Sequence, residues 1–195
     1  MAKKKSLLAH GFKAYAEREA IRFRSELGLE KHAPLSGFNL AEHLNIKVYV
    51  PEDIFPSGTD LSALLGNSTK NNGWSALTMD NCEGRKIIIH NNLHAPARIQ
   101  SDLMHELAHA ICKHKYPVRE GVNLPFFMRE HNPQHEEEAN YLGSTLQITR
   151  KGLLWGLKEG MTIDELCEYF TASKQMVNFR INSTGVKKQL SYMTK

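Results

Sequence analysis

The segment His105-Glu106-Leu107-Ala108-His109 constrains the fold of this chain more than any other stretch of its sequence. Residues four positions apart share one face of an α-helix, so the two imidazoles can converge on one metal ion if the segment is helical. Glu106 then lies beside the metal, where its carboxylate can hold a water molecule. We therefore expect a long helix over about residues 96–114 that carries a metal site, with Pro96 in its first turn.

A catalytic zinc site normally takes three protein ligands and leaves a fourth position for water. The best third ligand lies in residues 134–140, where three adjacent glutamates occur in a stretch with helical character. Glu136 is our preferred ligand because Asn140 lies one turn later on the same face, where its amide can orient a ligand. The glutamates also suit a solvated first turn, which the helix dipole favours. The alternatives that stay open as third ligand are Glu137, Glu138 and His135.

The remaining periodicity predicts an α+β chain with a small sheet. Residues 45–50 alternate like a strand. Residues 75–79 and 86–90 are strand candidates, and the turn signal at 81–84 between them predicts an antiparallel pair. Residues 115–133, which contain several prolines, are expected to form a long surface loop. Further helices are predicted over residues 7–28, 38–44, 134–148 and 150–159.

The C-terminal tail has a helical pattern of its own. Thr162 and Glu165 have the spacing of a capping box, which predicts a helix near 163–170, and Ser173 can cap a second helix near 174–183. Two short helices joined by three residues resemble a helix-turn-helix, a motif that often binds DNA.

Direct DNA binding by this tail is weakly supported by its charge. Residues 151–195 contain seven basic and four acidic residues, which is a small excess of positive charge for a DNA-binding surface. Packing on the rest of the chain, or docking of a protein partner, explains the helical pair at least as well. The side chains that the second helix could offer to DNA are Lys174, Gln175, Asn178 and Arg180.

Composition excludes several other classes of protein. The 195 residues are 41% hydrophobic and 24% charged, mean hydropathy is −0.43, and no apolar run approaches the roughly 18 residues that cross a bilayer, so no membrane role is expected. The formal net charge of +4 is small for a protein that coats nucleic acid. Three scattered cysteines without a CxxC pair indicate reduced thiols, and we expect a cytoplasmic protein. No feature of the sequence indicates an oligomeric state.

The two metal motifs belong to a wider pattern in the chain. The HELAH segment follows Arg98-Ile99-Gln100-Ser101-Asp102-Leu103-Met104, and Glu136 is followed by Ala139-Asn140. Further stretches of the pattern are Pro34-Leu35-x-x-Phe38-Asn39-Leu40-Ala41-Glu42-x-Leu44-Asn45-Ile46-x-Val48, Trp74-Ser75-Ala76-Leu77-Thr78 and Ile88-Ile89-His90-Asn91. Over roughly residues 34–150 the chain thus resembles the ImmA/IrrE family of zinc metallopeptidases. It departs from the family after Asn140, where the family has Phe-Ala and a Leu-Leu-Met-Pro stretch, because residues 141–149 contain no proline.

The helix and strand pattern, together with the resemblance, indicates an α+β fold with two parts. Residues 1–150 would form a zincin-like metallopeptidase domain, with a small antiparallel sheet and the HExxH helix, and residues 151–195 a helical, helix-turn-helix-like segment. The implied site has Zn²⁺ held by His105, His109 and Glu136, with Glu106 as the general base and Asn140 supporting a ligand.

The resemblance also implies a function. Members of the family act on helix-turn-helix transcriptional repressors, so the expected activity is that of a zinc-dependent endopeptidase acting in transcription regulation, with a repressor as protein substrate. The competing interpretation is a non-catalytic regulatory protein that binds DNA or a repressor on the same scaffold. A peptidase also needs a donor to the oxyanion that develops during cleavage. The candidates, each better explained as a surface or packing residue, are His131, His135 and Tyr141.

Overall fold

The computed structural model describes residues 6–66, 74–81, 83–114 and 132–193. Within these ranges no helix is long and apolar enough to cross a membrane. The helices and strands of these ranges are, in chain order, α1 (Phe12–Glu26), α2 (Gly37–His43), β1 (Lys47–Tyr49), α3 (Pro51–Ile54), α4 (Ser62–Leu65), β2 (Ala76–Asp80), β3 (Lys86–His90), α5 (Pro96–Ile111), α6 (Pro133–Gln147), α7 (Arg150–Lys158), α8 (Ile163–Phe170), α9 (Lys174–Thr184) and α10 (Val186–Met193).

The described strands form a mixed sheet in the order β1-β3-β2. β2 and β3 pair antiparallel, as the turn signal predicted, with Thr78 opposite Ile88. β1 pairs parallel with β3 on the other side, with Val48 also opposite Ile88. The prediction of a small antiparallel sheet is therefore correct for β2 and β3 and wrong for β1, which makes the sheet mixed, while the α+β class is confirmed. Periodicity could not give the direction of β1, because no tight turn ties that strand to its neighbour in the sheet.

The main hydrophobic core lies where α5 and α6 pack on each other, on α1 and α2, and on the sheet. Leu103 and Leu107 of α5 and Leu142 of α6 are fully buried in it. These α5 residues form the face of the helix that packs in the core. The metal motif itself lies at the edge of this core, close to the end of α5.

A glycine sets the distance between α5 and α6. A Cβ atom built on Gly143 would lie 2.9 Å from the carbonyl oxygen of Met104 and 3.1 Å from the Cα of His105. Real Cβ atoms do not approach backbone so closely, and only glycine leaves room for this contact. The tight crossing brings the first turns of α6 against the last turns of α5, where the motif histidines lie.

The C-terminal helices enclose a second hydrophobic cluster, formed by α7, α8, α9 and the start of α10. The capping box at Thr162 and Glu165 is present, and Ser173 accepts a hydrogen bond from the backbone N–H of Met176, so both predicted caps are confirmed. Helix α10 was missed by the sequence analysis, although its Val186 is fully buried. A division of the chain into domains at residue 150 stays a prediction.

Two buried arginines hold the C-terminal end of α6. Arg24 of α1 donates to the carbonyl oxygens of Leu146 and Gln147, at 2.9 and 3.4 Å. Arg180 of α9 donates to the carbonyl oxygen of Ile148 at 2.9 Å. Both side chains are fully buried, and burial lowers the pKa of Arg24 to about 10. They donate hydrogen bonds to carbonyl groups that a helix end leaves without partners. Their positive charges also interact favourably with the negative end of the helix dipole.

Candidate metal centre

Helix α5 forms where its sequence predicts, and it presents the motif from the junction of core and surface. Pro96 occupies the first turn, where its missing N–H costs no hydrogen bond. The helix ends at Ile111, three residues earlier than expected. Lys113 adopts a left-handed conformation with φ of 54°, and the backbone N–H of His114 bonds the carbonyl oxygen of His109 at 3.0 Å. This left-handed ending turns the chain back, so that His114 lies against the motif.

Three side chains converge at the contact of α5 with α6. The Nε2 atoms of His105 and His109 lie 3.0 Å apart. Oε2 of Glu136 lies 3.4 Å from Nε2 of His105, and Oε1 of Glu136 lies 3.5 Å from Nε2 of His109. One ligand atom from each residue can be chosen so that all lie within 4.8 Å of one another. The structure therefore brings together the three residues predicted as ligands.

The spacing of these atoms fits a small divalent cation. Bonds of about 2.0–2.1 Å at tetrahedral angles separate the ligand atoms of a zinc ion by about 3.4 Å. The three observed separations range from 3.0 to 3.5 Å. Two imidazole nitrogens and one carboxylate are also a donor set that zinc accepts in hydrolytic sites. His109 is 4% exposed, while His105 and Glu136 are each about a quarter exposed, so the site opens to solvent on one side.

The three adjacent glutamates of α6 point in different directions, and only Glu136 faces the two motif histidines. Glu137 accepts hydrogen bonds from the hydroxyl of Ser6 and the backbone N–H of Leu7. Glu138 accepts a hydrogen bond from His114. The geometry thus favours Glu136 among the alternatives that the sequence left open.

Glu106 lies on α5 between the two histidines and contacts strand β2. The hydroxyl of Thr78 donates a hydrogen bond to Oε2 of Glu106 at 2.6 Å. Burial raises the pKa of Glu106, and the hydrogen bond from Thr78 offsets part of that effect. A carboxylate held this way is a stronger proton acceptor than one in water. Thr78 was not predicted as a site residue, because it is distant in sequence and only the folded sheet brings it to α5.

The two imidazoles differ in their electrostatic surroundings. Burial, assisted by the neighbouring His105, lowers the pKa of His109 to about 3, which keeps its ring neutral near pH 7. For His105, burial opposes protonation, but the hydrogen bond with Glu136 and the charges of Glu106 and Glu136 outweigh it, and the pKa is raised. Asn140 is exposed and forms a side-chain hydrogen bond with His105. This contact is of the kind expected for Asn140, which was predicted to orient a ligand.

His114 is a second residue that the sequence analysis missed. Its Nδ1 lies 2.9 Å from Nδ1 of His109, and its Nε2 lies 3.0 Å from Oε2 of Glu138. The side chains of His114 and Glu138 are 4% and 13% exposed. The only sequence signal was a histidine five residues after His109, a spacing that places no contact on a regular helix.

The three candidate oxyanion donors lie in different surroundings or outside the described residues. The ring of Tyr141 is buried, 6.5 Å from the ring of Phe12 and 5.4 Å from the guanidinium of Arg180, which makes it a packing residue. His135 stacks on His114 with ring centroids 4.3 Å apart. His131 lies outside the described residues, as does most of the loop predicted over 115–133.

The predicted DNA-facing side chains are only partly available. Arg180 is fully buried and donates to Glu17 at 2.6 Å, so it cannot contact DNA from this position. Lys174 forms an exposed ion pair with Asp164 at 2.7 Å, and Asn178 bonds the carbonyl oxygen of Lys174. The expectation that Arg180 is usable for DNA is wrong, because its guanidinium holds α9 to the rest of the chain.

Comparison with known families gives one match that covers most of this region. A family model described as "Peptidase_M78: IrrE N-terminal-like domain" matches residues 54–182, about two thirds of the chain. The match includes strands β2 and β3, the metal motif, α6 and most of the C-terminal helices. No curated protein matches the chain at a significant level.

Proposed function

Because the chain belongs to the Peptidase_M78 family, described by its IrrE N-terminal-like domain, we propose that it is a zinc-dependent endopeptidase. One observation carries the proposal: Nε2 of His105, Nε2 of His109 and the carboxylate of Glu136 converge, with the carboxylate of Glu106 on the adjacent helical position. The chemistry of these donors and their separations both suit zinc. A zinc ion held by them would supply Lewis-acid chemistry, polarising the scissile carbonyl and lowering the pKa of water.

Glu106 is the residue to which we assign proton transfer. Its Oε2 accepts the hydrogen bond from the hydroxyl of Thr78, and we assign Oε1 as the atom that takes the proton from the attacking water. The same carboxyl group then gives that proton to the nitrogen of the leaving amine. Burial favours the first step, since it raises the proton affinity of the carboxylate.

The sheet offers a way to hold the substrate. Among the described strands β2 is an outer strand, paired on one side with β3. An extended peptide can add to such an edge through backbone hydrogen bonds. Since Thr78 of β2 contacts Glu106, a peptide on this edge would lie next to the proposed base. We take the substrate class, a helix-turn-helix repressor, from the family resemblance.

The proposal is tested by comparing Glu106→Gln with the wild type on a candidate repressor. The wild-type protein should contain about one zinc per chain and cleave the repressor. Glu106→Gln should keep the zinc and lose cleavage by at least about 100-fold, since it removes the proton acceptor but no ligand. Glu83→Gln changes an exposed glutamate of the β2–β3 turn in the same way and should leave zinc content and cleavage unchanged.

The competing function, regulation without cleavage, makes different predictions. A wild-type protein that binds no zinc contradicts the metal site, and one that holds zinc but leaves every candidate repressor intact contradicts the peptidase. Specific DNA binding at physiological salt that is unchanged in Glu106→Gln would instead support the regulatory reading. Binding by α9 would have to rely on Lys174, Gln175 and Asn178, since Arg180 is buried.

A further inference from the structure

We propose that His114 and Glu138 are positioning residues that fix the tautomer of His109, so that its Nε2 is free to bind the metal. The contacts between Glu138, His114 and His109 form one line of hydrogen-bonding atoms. Oε2 of Glu138 lies 3.0 Å from Nε2 of His114, and Nδ1 of His114 lies 2.9 Å from Nδ1 of His109. Nε2 of His109 then faces His105 and Glu136. The inference rests on the proposed metal site and adds the two residues that set the tautomer of one of its ligands, His109.

Glu138 determines which nitrogen of His114 carries the proton. An ionised carboxylate only accepts hydrogen bonds, so the proton between Glu138 and His114 belongs to Nε2 of His114. A neutral imidazole carries one ring proton, and the Nδ1 of His114 therefore presents a lone pair. The charge of Glu138 thus determines the hydrogen-bonding role of the opposite nitrogen of His114.

The tautomer of His114 in turn determines the tautomer of His109. Two ring nitrogens 2.9 Å apart need one proton between them, and Nδ1 of His114 acts as the acceptor. The proton must therefore lie on Nδ1 of His109. Its Nε2 is then unprotonated, which is the form that a metal ion binds. Metal-binding histidines commonly donate their other N–H to a carboxylate or carbonyl group, and here a histidine stands between the ligand and the carboxylate.

The side chains of Glu138, His114 and His109 are shielded from water and held in place by their surroundings. His109 and His114 are each 4% exposed, and Glu138 is 13% exposed. His135 stacks on His114 with its ring nearly parallel, at an interplanar angle of 4°. The left-handed Lys113 and the bond from the N–H of His114 to the carbonyl oxygen of His109 fix the backbone on the other side. Hydrogen bonds shielded from water in this way hold their geometry more firmly.

The test is the dissociation constant for Zn²⁺, measured by competition with a chromophoric chelator on the full chain. His114→Phe keeps a ring that can stack on His135 but removes both nitrogens, and Glu138→Leu removes the carboxylate. Each should weaken zinc binding by about 10- to 100-fold. The double variant should lose little more than either single one, because both act through the same line. Glu137→Leu, on the adjacent position of α6, should bind zinc like the wild type.

A spectroscopic readout separates positioning from packing. Nitrogen-15 NMR of the zinc-free protein should show His109 as the Nδ1–H tautomer in the wild type. His114→Phe and Glu138→Leu should show a mixture with the Nε2–H form. If His114→Phe folds poorly, Glu138→Leu carries the test alone, with the melting temperature of its zinc-free form expected near that of the wild type.

The outcomes distinguish the two proposals. A wild-type protein without zinc affinity overturns the proposed function. A wild type that binds zinc, with variants that bind it equally well, overturns the positioning role and leaves the proposed function standing. A loss of affinity with an unchanged His109 tautomer also overturns the positioning role.

Discussion

The hydroxyl of Thr78 donates a hydrogen bond of 2.6 Å to Oε2 of Glu106 and so ties strand β2 to the metal helix. The contact joins the strand that would hold an extended peptide to the carboxylate that would move its proton. Thr78 is 7% exposed, so the bond forms away from bulk water. The position of the base relative to the sheet edge is therefore fixed by a direct contact.

Thr78→Val removes the hydroxyl and keeps the shape of the side chain. A hydrogen bond to a charged group contributes about 1.5–3 kcal/mol, and we expect kcat/KM for peptide cleavage to fall about 10- to 100-fold. Zinc content should not change, because Thr78 contacts no ligand atom. Thr78→Ser keeps the donor and should recover most of the activity. Equal activity of the Val and wild-type proteins would contradict a role for this bond.

Gly143→Ala tests the close approach of α6 to α5. The added Cβ would meet the carbonyl oxygen of Met104 at 2.9 Å, and backbone cannot rotate away as a side chain can. We expect the free energy of unfolding to fall by about 1–3 kcal/mol in urea denaturation. Separation of the helices also moves Glu136 from the histidines, so zinc affinity should fall as well. Gly143→Ser should be at least as destabilising, and stability at the wild-type level in both would refute the tight crossing.

Arg180→Met tests the assignment of this arginine to structure. The substitution removes the donors to Ile148 and Glu17 and leaves their acceptors without this partner. We expect a loss of about 2–4 kcal/mol in unfolding free energy, measured by thermal or chemical denaturation. Lys174→Met, on the exposed surface of the same helix, should leave the free energy of unfolding nearly unchanged. A stable Arg180→Met protein with altered DNA affinity would contradict the assignment.

Cys112 should be a slow nucleophile at neutral pH. Burial, with the charges of Glu138 and Glu19, raises the pKa of its thiol to about 12. The reactive thiolate is favoured only above that pKa, so less than about one thiol in 1,000 is ionised at pH 8. In a Cys82→Ser/Cys167→Ser variant, alkylation by iodoacetamide should be far slower than for an unfolded peptide thiol and should accelerate up to pH 11. Rapid labelling at pH 8 would show that the thiol is not buried as described.

The sequence was most informative where local spacing determines geometry. The metal helix, the convergence of His105 with His109, and the caps at Thr162 and Ser173 all depend on residues within one helical turn. The preference for Glu136 came from the helical period and agrees with the observed geometry. The turn between β2 and β3 was also local, and its antiparallel pairing was predicted correctly.

Local sequence spacing could not predict the contacts between segments that are distant in the chain. Thr78 meets Glu106 only after the sheet packs on α5, and β1 has no local turn that reveals its direction. His114 was expected inside a regular helix, where it would point away from His109. The left-handed Lys113 ends the helix early, and a lysine gives no sequence signal for that conformation, which glycine usually adopts.

Arg180 of α9 links the C-terminal helices to the helix that carries Glu136. Helix α6 carries Glu136 near its start, and its far end is held by Arg24 from α1 and Arg180 from α9. Because α6 is one continuous helix, a shift of α9 would be transmitted along about three turns to the carboxylate of Glu136. Truncation before α9 would remove the hydrogen bond from Arg180 at the end of α6, and we expect it to weaken metal binding by Glu136 at the start of the same helix.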